Sequence, residues 1–172
     1  MRGYREKRVQ MKPDIIDELF RKYYNEAMLY TMSLCKNETT AEDIVSTAFY
    51  KALTSADDDI KNFKPWLLTV CRNEFFGLCR KNKAISYDEL TEEIEDGSEE
   101  IVDRLILKEE YRALYHAIDK LNAAQREVIM LFYFSGLQIK DIAAVTGKSE
   151  SNVKVLLYRS RERLKELMEV AG

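Results

Sequence analysis

The sequence predicts an all-α protein with two small helical domains joined by an acidic linker. Only six glycines and two prolines occur among 172 residues, and 46% of the residues are hydrophobic, so helix breakers are few and a core can form. Apolar residues recur at helical spacing on both sides of residues 84–103, a stretch with nine acidic residues and no basic one. We predict a basic N-terminal extension (1–13), a first helical domain (14–83), the linker (84–104) and a second helical domain (105–172).

Three apolar stretches of helical period make up the first domain. The first begins near Asp14, directly after Pro13, which suits the first turn of a helix. Asn37, Thr39 and Thr40 then offer turn and cap chemistry before the helical period resumes in "TAEDIVSTAFYKAL". Pro65 marks the start of "KPWLLTVCRNEFFGLCRKNK", the third stretch.

The linker contains the Gly97 and Ser98 breaker pair and is interpreted as a solvated spacer. The alternative is that its acidic run mimics nucleic acid for a basic face of the protein. We also expect the two domains to pack compactly when no polymerase is present, with the acidic linker or a separate partner protein covering their basic surfaces.

The second domain contains a predicted helix-turn-helix. Asn122, with Gln125 three residues later, predicts a capped helix that ends at Gly136. After it, Ile142 and Ala143 suit the crossing point of two short helices. The remaining features of the pattern are Gly147 for a left-handed turn, Ser149 as a cap, and Val153, Leu156 and Leu157 as inward anchors.

The second helix of this motif is predicted to face DNA. Residues 148–165 carry a net charge of plus four, although the whole chain carries minus three. Helical spacing directs seven side chains outward, where they can reach phosphates and base edges in a major groove: Ser149, Ser151, Asn152, Lys154, Val155, Tyr158 and Arg159.

A second basic segment, "CRNEFFGLCRKNK", ends the first domain with a net charge of plus three and two interleaved phenylalanines. Cations that follow phosphates beside rings that stack on bases are typical of single-stranded DNA binding. Alone, a pattern of this kind more often belongs to a helix with buried Phe and exposed Lys.

Together these stretches resemble the bacterial sigma factors of the extracytoplasmic-function type. The segments "ELFRKYYNEAMLYTMSLCKNETTAEDIVSTAFYKAL" and "NFKPWLLTVCRNEFFGLCRKNK" are similar to that family's region two. The segment "LNAAQREVIMLFYFSGLQIKDIAAVTGKSESNVKVLLYRSRERLKEL" is similar to its region four. The resemblance covers both helical domains and implies a dissociable subunit that directs core RNA polymerase to promoters.

The resemblance also implies site residues. Polymerase binding would fall on Glu42, Asp43, Ile44, Val45 and Phe49. Recognition of the minus-ten element would fall on Phe63, Trp66, Arg72, Asn73, Phe76, Arg80, Lys81 and Lys83, and the helix-turn-helix would read the minus-thirty-five element. An anti-sigma factor is a further potential partner, and no cofactor or metal is implied.

Two other function classes compete with this interpretation. A helix-turn-helix repressor or activator would use the same motif without polymerase, but it would have a ligand pocket or dimer helix in place of the first domain. An enzyme is the least supported class, because His116 is the single histidine and no nucleophile or metal ligand stands at a recognisable spacing. The odd count of three cysteines suits a reducing compartment, and the N-terminus lacks a continuous apolar run, so we expect a cytoplasmic protein with no membrane span.

Overall fold

The computed structural model describes residues 11–55, 62–82 and 98–171, and every regular element within these ranges is helical. In chain order the elements are α1 (Pro13–Cys35), α2 (Glu38–Ser55), α3 (Phe63–Lys81), α4 (Ser98–Leu105), α5 (Glu109–Ile118), α6 (Ala123–Ile129), a π-helical turn (Met130–Phe134), α7 (Ile139–Thr146) and α8 (Glu150–Ala171). The all-α prediction is confirmed. Lys83, most of the predicted extension and most of the predicted linker lie outside the described residues, while α4 occupies the linker's last residues.

The first unit consists of α1, α2 and α3, each of which packs against the other two. Helix α1 begins at Pro13 and ends before Lys36, whose backbone is left-handed (φ 52°). Asn37 then caps α2, because its Oδ1 accepts the backbone N–H of Thr40 at 2.8 Å. The core between the three helices is formed by buried side chains that include Tyr30, Ile44, Val45, Leu67, Leu68 and Phe75.

The second unit is built around α8, which packs against α5, α6 and α7. The predicted cap at Asn122 is present, since its Oδ1 accepts the backbone N–H of Gln125 at 2.9 Å. Gly136 has a positive φ of 64° and follows the π-helical turn, where the predicted helix ends. Buried side chains at the centre of this unit include Ile118, Val128, Ile129, Ile142, Val153 and Leu157.

The two units are in contact. Helix α1 packs against α6 and the π-helical turn, and α3 packs against α7. The buried hydrophobic residues of both units form one continuous cluster. The expected compact arrangement is therefore present, and it is made by the helical units themselves within the described residues.

The cysteines are free thiols, and two of them serve as small core residues. Cys35 and Cys71 are buried, whereas Cys79 is partly exposed. Burial raises the pKa of the Cys71 thiol to about 12, so this side chain stays protonated and unreactive near neutral pH.

Candidate nucleic-acid and polymerase interfaces

The turn between α7 and α8 has the geometry of a helix-turn-helix. Gly147 adopts φ 68°, a left-handed conformation that glycine tolerates at little cost. Two residues later, Ser149 Oγ accepts the backbone N–H of Asn152 at 3.1 Å and caps α8. Ile142 and Ala143 are buried beneath the crossing, as predicted.

Helix α8 presents its predicted outward face to solvent. Val153 and Leu157 are buried at 0% and 2% exposure, and Leu156 is half-buried, so these three anchors face the unit. All seven predicted DNA-facing residues are exposed: Ser149, Ser151, Asn152, Lys154, Val155, Tyr158 and Arg159. The Ser149 cap and the first three turns of α8 thus carry an exposed, largely polar surface that can enter a groove.

One basic residue of α8 points back onto its own unit. Arg161 Nε donates to the hydroxyl of Tyr133 at 2.9 Å, and its guanidinium lies 5.1 Å from the ring centroid of Phe132. Both rings belong to the π-helical turn. Arg161 therefore braces α8 against the π-helical turn, and the two basic residues of the predicted DNA-facing set, Lys154 and Arg159, precede it.

The residues predicted to contact the minus-ten element have unequal exposure along α3. Asn73, Arg80 and Lys81 are exposed, and Trp66 and Phe76 are half-buried. Phe63 is only 7% exposed and packs among Tyr23, Phe49 and Trp66, with ring centroids 5.8, 6.1 and 5.8 Å away. Phe63 therefore supports Trp66 from below and offers no surface to DNA in this conformation.

The predicted polymerase-binding residues of α2 also divide by burial. Glu42 and Asp43 are exposed, as a docking surface requires. Ile44, Val45 and Phe49, which the resemblance assigns to polymerase binding, are instead buried at 2%, 0% and 5% exposure. Direct contact through these three side chains is therefore the wrong part of the prediction, because α1 and α3 cover the apolar stripe of α2 within the first unit.

Sequence reasoning missed two aromatic side chains beside the acidic residues of α2. Tyr50 is 66% exposed and lies on α2, and Phe20 on α1 is 42% exposed. The Phe20 ring lies 4.9 Å from that of Phe49 and 4.7 Å from that of Tyr24, measured between centroids. The Phe20 ring is thus held against the buried Phe49 while part of it stays available for contact.

Comparison with known proteins matches both units to one family. The Sigma-70 region 2 family matches residues 19–85, and the Sigma-70 region 4 family matches residues 111–164. The ECF RNA polymerase sigma factor SigM of Bacillus subtilis is 31% identical over 156 residues, which cover 88% of this chain and 94% of SigM. The chain belongs to the extracytoplasmic-function sigma factors. The RNA polymerase sigma factor YlaC of Bacillus subtilis is 28% identical over 163 residues, covering 90% of this chain and 92% of YlaC.

Two solved structures share the fold of this sigma factor. The sigma factor RpoE of Bartonella quintana, in complex with the anti-sigma factor NepR, superposes with a TM-score of 0.67 over 92% of this chain and 99% of RpoE, at 24% identity. CnrH, in complex with the cytosolic domain of CnrY, gives a TM-score of 0.66 over 94% of this chain and 92% of CnrH, at 21% identity.

As a sigma factor, the chain binds core RNA polymerase and directs it to promoter DNA. The region 2 match covers the first unit, where a repressor or activator would have a ligand or dimer domain, so that alternative is not favoured. Sigma factors are transcription initiation factors, and the expectation of a chain that is not an enzyme agrees with this family. Within 11–55, 62–82 and 98–171, no helix has the length and apolar character that a membrane crossing requires.

One polar contact of the sigma factor joins the two units through a buried carboxylate. Glu127 on α6 is 3% exposed, and its Oε1 accepts both the hydroxyl of Tyr30 at 2.7 Å and Arg72 Nε at 2.7 Å. Both donors belong to the first unit. Burial, with the Glu127 carboxylate as the next cause, raises the pKa of Tyr30 well above its ordinary value, so the phenol remains a donor.

Further contacts between the units surround this carboxylate. Lys36 Nζ lies 2.9 Å from Asp119 Oδ1, and Lys64 Nζ donates to the backbone oxygen of Ser135 at 2.7 Å. The buried Arg126 donates through Nη1 to the backbone oxygen of Ser33 at 3.3 Å. Sequence reasoning missed these residues. The available signal was the charged pair Arg126 and Glu127 at the head of the apolar run "VIMLFYF", which predicts polar groups carried into a core.

Proposed function

We propose that this sigma factor reads the minus-thirty-five element with the first three turns of α8. The observation that carries this proposal is the row of exposed side chains on α8, which follows the Ser149 cap and includes Lys154, Tyr158 and Arg159. Lysine and arginine can bond to phosphates or to guanine, and tyrosine can contact a thymine methyl group. This polar face belongs to the helix that follows the turn at Gly147, which is the position of the recognition helix that enters the major groove.

The minus-ten element is assigned in this proposal to α3. Asn73, Arg80 and Lys81 are exposed on this helix, which also carries Arg72 and the half-buried rings of Trp66 and Phe76. Cations beside rings suit a melted strand, since phosphates follow the cations while bases stack on the rings. Lys83 would extend this surface but lies outside the described residues. Phe63 is assigned a supporting role under Trp66, because the two ring centroids are 5.8 Å apart.

Polymerase docking is assigned to the exposed edge of α2. Glu42 and Asp43 supply negative charge there, and the exposed rings of Tyr50 and Phe20 supply apolar area. Ile44, Val45 and Phe49 would act indirectly by fixing α2 on its core. An acidic helix edge flanked by aromatic rings suits a basic, partly apolar helical surface on the polymerase.

Two further parts of the proposal follow from the family. The RpoE structure contains an anti-sigma factor and the CnrH structure contains the cytosolic domain of CnrY, which supports an anti-sigma partner for this chain. Because bacterial RNA polymerase works in the cytoplasm, the same function implies a cytoplasmic location. The predicted domain boundary at 83/84 also stays part of this proposal, whereas the predicted boundary at 104/105 falls inside α4, whose Val102 is buried.

The test is transcription in vitro with core RNA polymerase and genomic DNA, followed by sequencing of the new transcript starts. Wild-type protein should produce starts preceded by a shared pair of sequence elements, and a set of starts unchanged from core alone would overturn the proposal. In a parallel retention assay, Asp43→Arg should lose core polymerase. Glu18→Arg makes the same charge change at an exposed position of α1 and should retain it.

A further inference from the structure

The buried carboxylate of Glu127 has its two donors in the other unit of the protein. Its Oε1 receives the Tyr30 hydroxyl and Arg72 Nε, both at 2.7 Å, and Glu127 is 3% exposed. A buried carboxylate is costly unless it is paired and hydrogen-bonded. Glu127 is therefore satisfied by the contact between the units, and separating the units transfers its carboxylate to water.

This contact occupies residues that the proposed function assigns to DNA. Arg72 belongs to the predicted minus-ten set, and its side chain is 20% exposed beside Glu127. The Arg72 guanidinium also lies 4.6 Å from the ring centroid of Phe76, a second member of that set. On the same helix, Lys64 is held by the backbone oxygen of Ser135, and α7 packs against α3. The second unit thus covers part of the surface that a melted strand would use.

A carboxylate and a DNA phosphate are chemically similar ligands for an arginine. Both are oxyanions that accept charge-assisted hydrogen bonds from a guanidinium. The Nε–H of Arg72 that is donated to Glu127 is not available to a phosphate at the same time. Because Tyr30 donates to the same Oε1 from a fully buried position, the carboxylate is held in place for Arg72.

We propose that Glu127 is an intramolecular competitor of promoter DNA for Arg72. In the sigma factor free of polymerase, Glu127 holds the second unit over α3, and the minus-ten surface becomes accessible when this contact is broken. This inference rests on the proposed function of α3. It assigns a regulatory role to a carboxylate and a tyrosine that themselves contact neither DNA nor polymerase.

The distance between the units provides the first measurement. Dyes attached at Lys22→Cys on α1 and Lys165→Cys on α8, both exposed positions, report this distance by single-pair energy transfer. A Cys79→Ser background removes the partly exposed native thiol, and Cys35 and Cys71 are buried. Glu127→Gln should raise the ratio of open to closed molecules about tenfold or more, because a neutral amide of the same size removes the negative charge that pairs with Arg72 across the units. Tyr30→Phe should shift the ratio in the same direction without changing any charge.

Binding of a single strand provides the second measurement. The probe is a fluorescein-labelled non-template strand from a promoter mapped by the transcription experiment, used without polymerase. Its affinity should rise in Glu127→Gln by the same factor as the accessible fraction of molecules. Glu74→Gln is the matched control, since it removes a carboxylate on α3 itself that pairs with Lys51 inside the first unit.

The outcomes separate the two proposals. An unchanged distance distribution in both Glu127→Gln and Tyr30→Phe, with helical circular dichroism preserved, would overturn the competition. Equal gains in strand affinity for Glu74→Gln and Glu127→Gln would also overturn it, because the effect would then be general charge removal. Failure of the wild-type protein to direct transcription would reject the proposed function, whereas normal transcription with no opening in the variants would reject only the role of Glu127.

Discussion

The two helices assigned to DNA, α8 and α3, differ in how far the rest of the molecule covers their polar faces. Helix α8 packs through Val153 and Leu157, and its predicted DNA-facing residues are all exposed. Helix α3 lies against α1 and α2 in its own unit and against α7 in the other. Its Arg72 is paired with Glu127. Because α8 packs through one face only, its DNA-facing surface is present as soon as the helix forms. The accessible surface of α3 depends instead on the arrangement of the whole chain.

The largest effect should come from the side of α8 that packs inward. Leu157 is 2% exposed, so Leu157→Ala should lower the free energy of unfolding by about 2 to 5 kcal/mol through lost burial and the cavity left behind. Its neighbour Tyr158 is 66% exposed, and Tyr158→Ala should stay within about 0.5 kcal/mol of wild type. Urea unfolding of the two variants measures both values. Similar losses for the two would show that α8 is not one-sided and would remove the basis of the comparison.

A smaller effect, on the affinity for DNA, is expected from the outward side of α8. Arg159→Ala should cost about 1 to 3 kcal/mol and relax the preference at one promoter position if Arg159 reads a base. If Arg159 contacts phosphate only, binding should weaken evenly across sequences and the salt slope should fall by about one. Fluorescence anisotropy with a set of duplexes that vary the minus-thirty-five element distinguishes these results. Wild-type affinity for every duplex after replacing Lys154, Tyr158 and Arg159 together would reject the assignment of α8.

The smallest effect concerns the contact that covers α3, and it depends on pH. The pKa of Tyr30 is raised well above its ordinary value by burial and by Glu127, so the folded protein keeps this proton where the unfolded chain loses it. The stability from Tyr30 is therefore complete below about pH 10 and falls as pH rises further, by about 1.4 kcal/mol per pH unit. Tyr30→Phe should remove this part of the alkaline loss.

Tyr115 also contributes to the alkaline loss of stability, because burial raises its pKa as well. Tyr30→Phe should thus reduce the slope of stability against pH above 10 without abolishing it. Urea unfolding followed by circular dichroism at several pH values between 8 and 11 gives the slopes. Identical slopes for wild type and Tyr30→Phe would mean that the phenol is accessible to water, in conflict with a closed contact over α3.

The features that could be predicted from the sequence are local ones. The Gly147 turn and the Ser149 cap each depend on residues within a few positions of one another, and the outward row of α8 follows from one helical period. The cap at Asn122 is confirmed for the same reason. Short-range backbone preferences determine these features, and tertiary packing does not change them.

The features that could not be predicted depend on which side of a helix is already covered. Periodicity showed that Ile44, Val45 and Phe49 form an apolar stripe, but the stripe is satisfied by α1 and α3 and not by a partner protein. Phe63 was placed on the DNA side by resemblance, yet it fills the aromatic core. The pairing of Arg72 with Glu127 joins residues 55 positions apart, and no local pattern specifies such a partner.

Lys36 gives the contact between the units a consequence for synthesis on the ribosome. Among the described residues it is the one non-glycine with a positive φ, which costs on the order of 1 kcal/mol, and its ammonium group lies 2.9 Å from Asp119. Glycine would end α1 at lower cost but has no charge to offer Asp119. Domains of a nascent chain fold from the N-terminus as they emerge, so the first unit is made before Asp119 has been translated. Until then no ion pair with Asp119 offsets the free-energy cost of the left-handed backbone at Lys36. The nascent first unit should therefore be less stable than the same helices in the finished protein.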